Sequence, residues 1–190
     1  MLIYENNCNR IIKVDNSPIK SDENYSVLIY LIALLTPLLK SNIFLYYLIM
    51  VRKIRIDDAK YIAAICESTL NHKTSIEIIE KRIEEIVNNS NYFIAVYDDG
   101  KASAFIQAEE YTILYGEKGW NIISLAVSEE SQNKGYGKAL INALENHCLN
   151  NGGSFIRLNS RIERENAHGF YAHLGYTCDK TQKRFIKYLK

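Results

Sequence analysis

The sequence predicts one α/β domain that fills the last three quarters of a 190-residue chain. Three observations carry that reading. Two segments of helical period with capping signals open the domain near residue 57. An Asp-Gly pair then joins two alternating apolar segments, a strong hairpin signal. Finally, an apolar strand runs into a glycine-bearing turn that opens a further helix. An apolar content of 47% is enough for a sizeable core.

Taken in order, Lys53-Ile54-Arg55-Ile56 alternates as a half-buried strand. Asp57 or Asp58 is placed to cap a helix that turns Ile62, Ile65 and Leu70 toward the core. Thr74 and Glu77 read as a capping box for a second helix, where Ile76, Ile79, Ile83 and Ile86 recur every three or four residues and Glu80, Lys81, Glu84 and Glu85 face water. Residues 92–97 and 102–108 are expected strands around Asp98-Asp99-Gly100-Lys101. Residues 109–116, with Tyr111 and Tyr115, form the expected loop to a strand over 120–127. A helix over 138–149 buries Leu140, Ile141, Leu144 and Cys148 and stops at Gly152-Gly153. Residues 154–158 supply another strand, and Ala167, Phe170, Tyr171 and Leu174 mark a short helix ended by Gly175. Residues 184–189 are expected to close the sheet.

The domain is thus expected over 50–190, with residues 1–49 as an apolar extension. Within 25–51, apolar runs at 27–35 and 43–51 are split by Thr36-Pro37 and Lys40-Ser41-Asn42. Three readings stay open: a membrane span, a loosely packed helical extension, or upstream sequence from an early start, since Met50 immediately precedes the first strand. On an insertion scale, apolar residues at about −0.3 to −0.6 kcal/mol each outweigh a central lysine at about +2.5 to +3.5 kcal/mol. Against a span, neither run alone crosses a hydrocarbon core about 30 Å thick. Were it a span, Arg52, Lys53 and Arg55 would keep the domain on the cytoplasmic side. A cleaved signal peptide is not expected, because the apolar run begins late and no small-residue cleavage site follows.

Twenty-three basic against 22 acidic side chains leave a net charge of +1, so no strong field recruits nucleic acid. Cys8, Cys66, Cys148 and Cys178 have neither pairing-like nor metal-like spacing and read as reduced thiols of a cytoplasmic protein. His168 and His173 lie five apart, on different helix faces, and no metal is expected.

The chemistry concentrates at 125–137, Leu-Ala-Val-Ser-Glu-Glu-Ser-Gln-Asn-Lys-Gly-Tyr-Gly. Gly135 and Gly137 let a ligand approach the backbone, and the free N–H groups of a helix start favour an anion such as a pyrophosphate. Gln132-x-x-Gly135-x-Gly137 after an apolar strand, followed by Ala167-His168-Gly169-Phe170-Tyr171-x-x-x-Gly175-Tyr176, resembles the GNAT acetyltransferase superfamily over about residues 50–189. The resemblance implies an α+β mixed sheet flanked by helices and acetyl-CoA as co-substrate. It places the pyrophosphate on the turn formed by Gln132, Asn133, Lys134, Gly135, Tyr136, Gly137 and Lys138, and the pantetheine along Leu125, Ala126 and Val127, with the Val127 N–H on the thioester carbonyl. Tyr171 would lie near the sulfur. Many members carry Asn seven residues before that Tyr, and this chain has Arg164.

Acyl transfer to an amine also needs a proton for the leaving thiolate and a free lone pair. Tyr171 is the candidate acid. An amine of pKa about 10.4 is about one part in 10³ neutral at pH 7, a handicap of about 4.6 kcal/mol. Glu109 and Glu110 are the candidate bases, with Glu117 next. Asn159, Ser160 and Arg164 lie past the following strand and take no assigned role. The expected function is direct acetyl transfer to a primary amine of a small molecule in the cytoplasm. Peptide or protein acetylation and a non-catalytic acyl-CoA sensor are the alternatives. No nucleic acid is expected, membrane contact would come only through residues 25–51, and a homodimer stays open.

Overall fold

The computed structural model describes residues 50–189. The expectations made for residues 1–49 lie outside the described residues. Five strands form one sheet in sequence order: β1 (Val51–Lys53), β2 (Tyr92–Asp98), β3 (Ala102–Tyr111), β4 (Gly119–Val127) and β5 (Phe155–Leu158). The first four run antiparallel and β5 runs parallel to β4, so the sheet is mixed. The helices are α1 (Ala59–Leu70), α2 (Ile76–Ile86), α3 (Tyr136–Asn150) and α4 (Glu165–His173). Short 3-10 turns at Ile56–Asp58 and Glu129–Ser131 precede α1 and α3.

Strand alternation divides the core in two. On one face Tyr97, Ile106, Trp120 and Ile122 pack with Leu140, Ile141 and Leu144 of α3, and Phe170, Tyr171 and Leu174 close over them. On the other face Val96, Phe105 and Ala126 pack with Ile62 and Ile65 of α1 and Ile83 of α2. Each helix presents the apolar stripe that its sequence period announced.

Five expectations need correction. The first strand ends at Lys53, and Asp58 does not cap α1 through its side chain. Its buried carboxylate instead takes two hydrogen bonds of 2.8 Å from the Arg52 guanidinium and one of 2.7 Å from the Arg55 N–H. Arg52 also reaches Asp98 at 2.6 Å, tying β1, β2 and the start of α1 together. The α2 cap is Ser75, not Thr74: Ser75 holds the extended backbone a cap needs, and its Oγ accepts the Ile78 N–H at 3.4 Å. β3 runs on to Tyr111, shortening the expected loop, because Glu109, Glu110 and Tyr111 pair with Asn121, Trp120 and Gly119. Residues 184–189 form no strand. Phe185 and Ile186 are adjacent, which breaks the period of two, and both are exposed, with no core to receive them.

Candidate functional site

The site begins with one surplus residue. β3 pairs Gln107 with Ser124 and Ala108 with Ile122, leaving Ile123 as a bulge in β4. A bulge bends its strand and increases the local twist. The pairing of β4 with β5 runs from Gly119 to Ile122 and stops there. Beyond it the two strands part around a cleft of about 580 Å³, walled by Ile122 to Leu125 on one side and by Leu158, Asn159 and Tyr171 on the other.

The backbone orientation along this edge follows from alternation. The Ser128 N–H donates to the Ser103 carbonyl at 2.9 Å, so Ser128 and Ala126 direct their backbone groups at β3. Leu125 and Val127 therefore point theirs away from β3, toward the open side. The Val127 carbonyl there accepts the Thr69 hydroxyl at 3.2 Å, at the end of α1. Of the three expected backbone contacts, those of Leu125 and Val127 face the open edge and that of Ala126 does not.

Next along the chain comes the glycine turn. Asn133 (φ 62°) and Gly135 (φ 85°) are left-handed, a conformation that Asn tolerates and Gly adopts freely. Among the described residues, the N–H groups of Gly135, Gly137 and Lys138 donate to no backbone carbonyl. Gln132, Asn133, Lys134 and Lys138 are exposed around them. The tip of the β2–β3 hairpin grips the turn on both flanks. The Tyr136 hydroxyl donates to Asp99 at 3.0 Å, its ring stacks on Tyr97 at 3.8 Å, and Lys101 pairs with Glu130 at 2.6 Å. Asp99 also accepts the Ser103 hydroxyl. Gly137 is buried, and a Cβ there would stand 3.3 Å from Phe170 Cζ, so this glycine also admits α4.

Tyr171 lies on α4 at the cleft wall. Helix α4 ends in a Schellman motif: Gly175 (φ 90°) donates to the Ala172 carbonyl and Tyr176 to that of Tyr171, each at 3.0 Å. The returning chain sets the Tyr176 ring edge-on to Tyr171 at 5.6 Å. Burial raises the Tyr171 phenol above its ordinary pKa, with the Arg164 cation pulling the other way. Burial likewise raises Tyr176, and its hydroxyl has no hydrogen-bond partner among the described residues.

The carboxylates are placed apart from this. Glu109 and Glu110 project to opposite faces of β3, and neither lines the cleft. Glu109 accepts the Asn121 amide at 3.0 Å. Glu110 pairs with Lys118 at 2.8 Å and accepts the Thr112 hydroxyl at 3.0 Å, and the two hold its carboxyl below the usual range. Glu117 accepts the Ser154 hydroxyl. Arg161 and Arg184, which sequence reasoning passed over, line the cleft together with Arg164. Asp99 was visible only as part of a hairpin, because nothing local links it to Tyr136. Among the described residues there is no metal-ligating cluster and no helix long and apolar enough to cross a membrane.

A mixed sheet that parts after its fourth strand, with a glycine turn opening the next helix, is the architecture that the GNAT resemblance implied. Residues 55–176 match the acetyltransferase (GNAT) family, and the chain belongs to that family. It is 30% identical over 115 residues to YhdJ, an uncharacterized N-acetyltransferase of Bacillus subtilis, an overlap of 59% of this chain and 80% of the relative. A possible acetyltransferase from Clostridium difficile 630 superposes with a TM-score of 0.60 at 22% identity, covering 73% of this chain and 97% of the other. An aminoglycoside acetyltransferase from an uncultured soil metagenomic sample, in complex with sisomicin, does so at 0.59 and 19%, covering 74% and 95%. A transcriptional regulator from Bacillus halodurans gives 0.65 and 16%, covering 72% and 98%. At these identities the structures speak for the fold.

Proposed function

We propose that the chain transfers acetyl from acetyl-CoA directly to a primary amine of a small molecule. The observation that carries the proposal is the convergence of the open β4 edge and Tyr171 on one cleft. The residues present suit the donor. The amides of Gly135, Gly137 and Lys138 at the start of α3 suit a pyrophosphate, with Gln132, Asn133, Lys134 and Tyr136 around it. The backbone of Leu125 and Val127 suits a pantetheine arm laid beside the strand. Acetyl-CoA supplies the thioester, whose C–S bond breaks as the amine nitrogen forms the new amide.

In this reading the Val127 N–H faces the thioester carbonyl, a donor worth about 3 to 4 kcal/mol where charge develops. Tyr171 gives its phenolic proton to the departing sulfur. Burial suits it to that task, because it keeps the phenol protonated throughout the physiological range. Glu109 is the better of the two proposed bases, acting through water. Glu110 is already neutralised by Lys118, and a carboxyl held below its usual range is the poorer acceptor of a proton.

Calorimetry with acetyl-CoA, followed by single-turnover kinetics on Tyr171→Phe, tests the reading. The Phe variant keeps the ring contacts, so acetyl-CoA affinity should hold while the chemical step slows at least about tenfold. A wild-type single-turnover rate in this variant would remove Tyr171 from the mechanism. Absence of acetyl-CoA binding to the unaltered chain would remove the whole proposal, and with it any sensor role.

A further inference from the structure

Three arginines from three separate places line the cleft: Arg161 in the loop after β5, Arg164 at the start of α4, and Arg184 in the C-terminal segment. Among the described residues, no Asp or Glu lines it. Among the described residues, no carboxylate lies within 4.0 Å of any of the three guanidinium groups. The loop presenting Arg161 is well held, since its carbonyl accepts from the His168 ring nitrogen at 2.9 Å and from the Arg164 N–H at 3.1 Å. Like charges converging on one cleft repel, and a planar guanidinium is suited to two-point contact with a carboxylate or phosphate. The donor's own pyrophosphate has a separate cradle in the glycine turn, none of whose residues lines this cleft.

We propose that the acceptor amine carries an anionic group, a phosphate or a carboxylate, which Arg161, Arg164 and Arg184 bind in the cleft. The proposal rests on the acetyl-CoA reading above and adds the acceptor's chemical class. It also sets a specificity against polycations: a polyamine or aminoglycoside would meet three positive charges and no carboxylate, and like-charge juxtaposition is an effective means of rejecting a wrong partner. The likeness to an aminoglycoside acetyltransferase, at 19% identity, speaks for the fold alone. The same cations serve the chemistry, because an ammonium brought among guanidinium groups gives up its proton more readily. That eases the demand for a carboxylate base in a cleft that has none.

The test uses the full chain saturated with coenzyme A and titrated calorimetrically at low ionic strength with inorganic phosphate, O-phosphoethanolamine, ethanolamine and spermidine. Phosphate and O-phosphoethanolamine should bind, ethanolamine should bind much more weakly, and spermidine should not bind. In Arg161→Gln/Arg184→Gln, whose two positions are exposed and so leave folding intact, anion affinity should drop at least tenfold while coenzyme A affinity is unchanged. Three results would overturn the proposal: anion binding that ignores the arginines or is absent, spermidine binding in preference to the phosphates, or a double variant that loses coenzyme A affinity instead, which would assign these arginines to the donor. Failure of the unaltered chain to bind coenzyme A would show in the first titration, and it condemns the acetyl-CoA reading rather than the charge argument.

Discussion

Gly137 answers to two neighbours at once. The sequence suggested that a side chain there would hold off a pyrophosphate, and the fold adds that it would also strike the Phe170 ring and stand 3.6 Å from Val127 Cγ2. Gly137→Val should therefore push α4 outward and lower stability as well as acetyl-CoA affinity. Gly135→Ala separates the two effects better, because its cost is the left-handed φ of 85°, about 1 to 2 kcal/mol, which thermal unfolding would read as a drop of several degrees in Tm. The glycine pattern was legible because it is local. The second reason for Gly137 was not, since Phe170 reaches it from another helix. Tyr171 makes a prediction of its own. With the phenol pKa raised by burial, the protonated, acid-competent form persists past the ordinary value, so the chemical step should not fall off on the alkaline side until above about pH 10. An alkaline limb near pH 8 in single-turnover rates would point to another group.

Between elements, the Arg52 contacts join what the backbone leaves loosely connected. β1 has three residues, and Arg52 fastens it to Asp58 before α1 and to Asp98 at the end of β2. For Asp58, burial raises the carboxyl, and the hydrogen bonds from Arg52 and from the Arg55 N–H more than offset it, leaving a net depression. Asp98 is depressed chiefly by Arg52. A depressed folded pKa means stability that is present above the unfolded value, about 3.9, and is lost as pH falls through the folded one. Unfolding midpoints should accordingly fall more steeply below about pH 4 in the unaltered chain than in Arg52→Met. At pH 7 the same variant strands a buried carboxylate and should lose about 3 kcal/mol in denaturant titration. Sequence reasoning saw that an Asp was needed near residue 58 and gave it a cap's duty, because capping is the local use of such a residue. The real partner, Arg52, sits six residues back on β1, and an ion pair between a strand and the turn after it leaves no periodic trace.

Across the described residues, the five-stranded sheet, the four helices and the two motif segments could be read because period and turn chemistry agreed with the final packing. The parting of β4 from β5 could not, since a bulge is a mismatch between two strands and neither strand records it alone. The family match begins at residue 55 and ends at 176. On the proposed function, a chain beginning at Met50 is expected to fold cooperatively and to match the full chain in acetyl-CoA titrations. Aggregation of the shortened chain, with the full chain active, would make residues 1–49 part of the domain.

Ile123 gives the architecture an odd-and-even arithmetic. With it removed, Ile122 and Ser124 would become consecutive opposite Ala108 and Gln107, and every side chain on either side of the deletion would keep its present face. Nothing in the core would object, and β4 could run straight beside β5. The deletion variant should then be at least as stable as the parent and unable to take up acetyl-CoA. A single dispensable residue would thus separate a well-zipped sheet that does nothing from one that stays ajar and works.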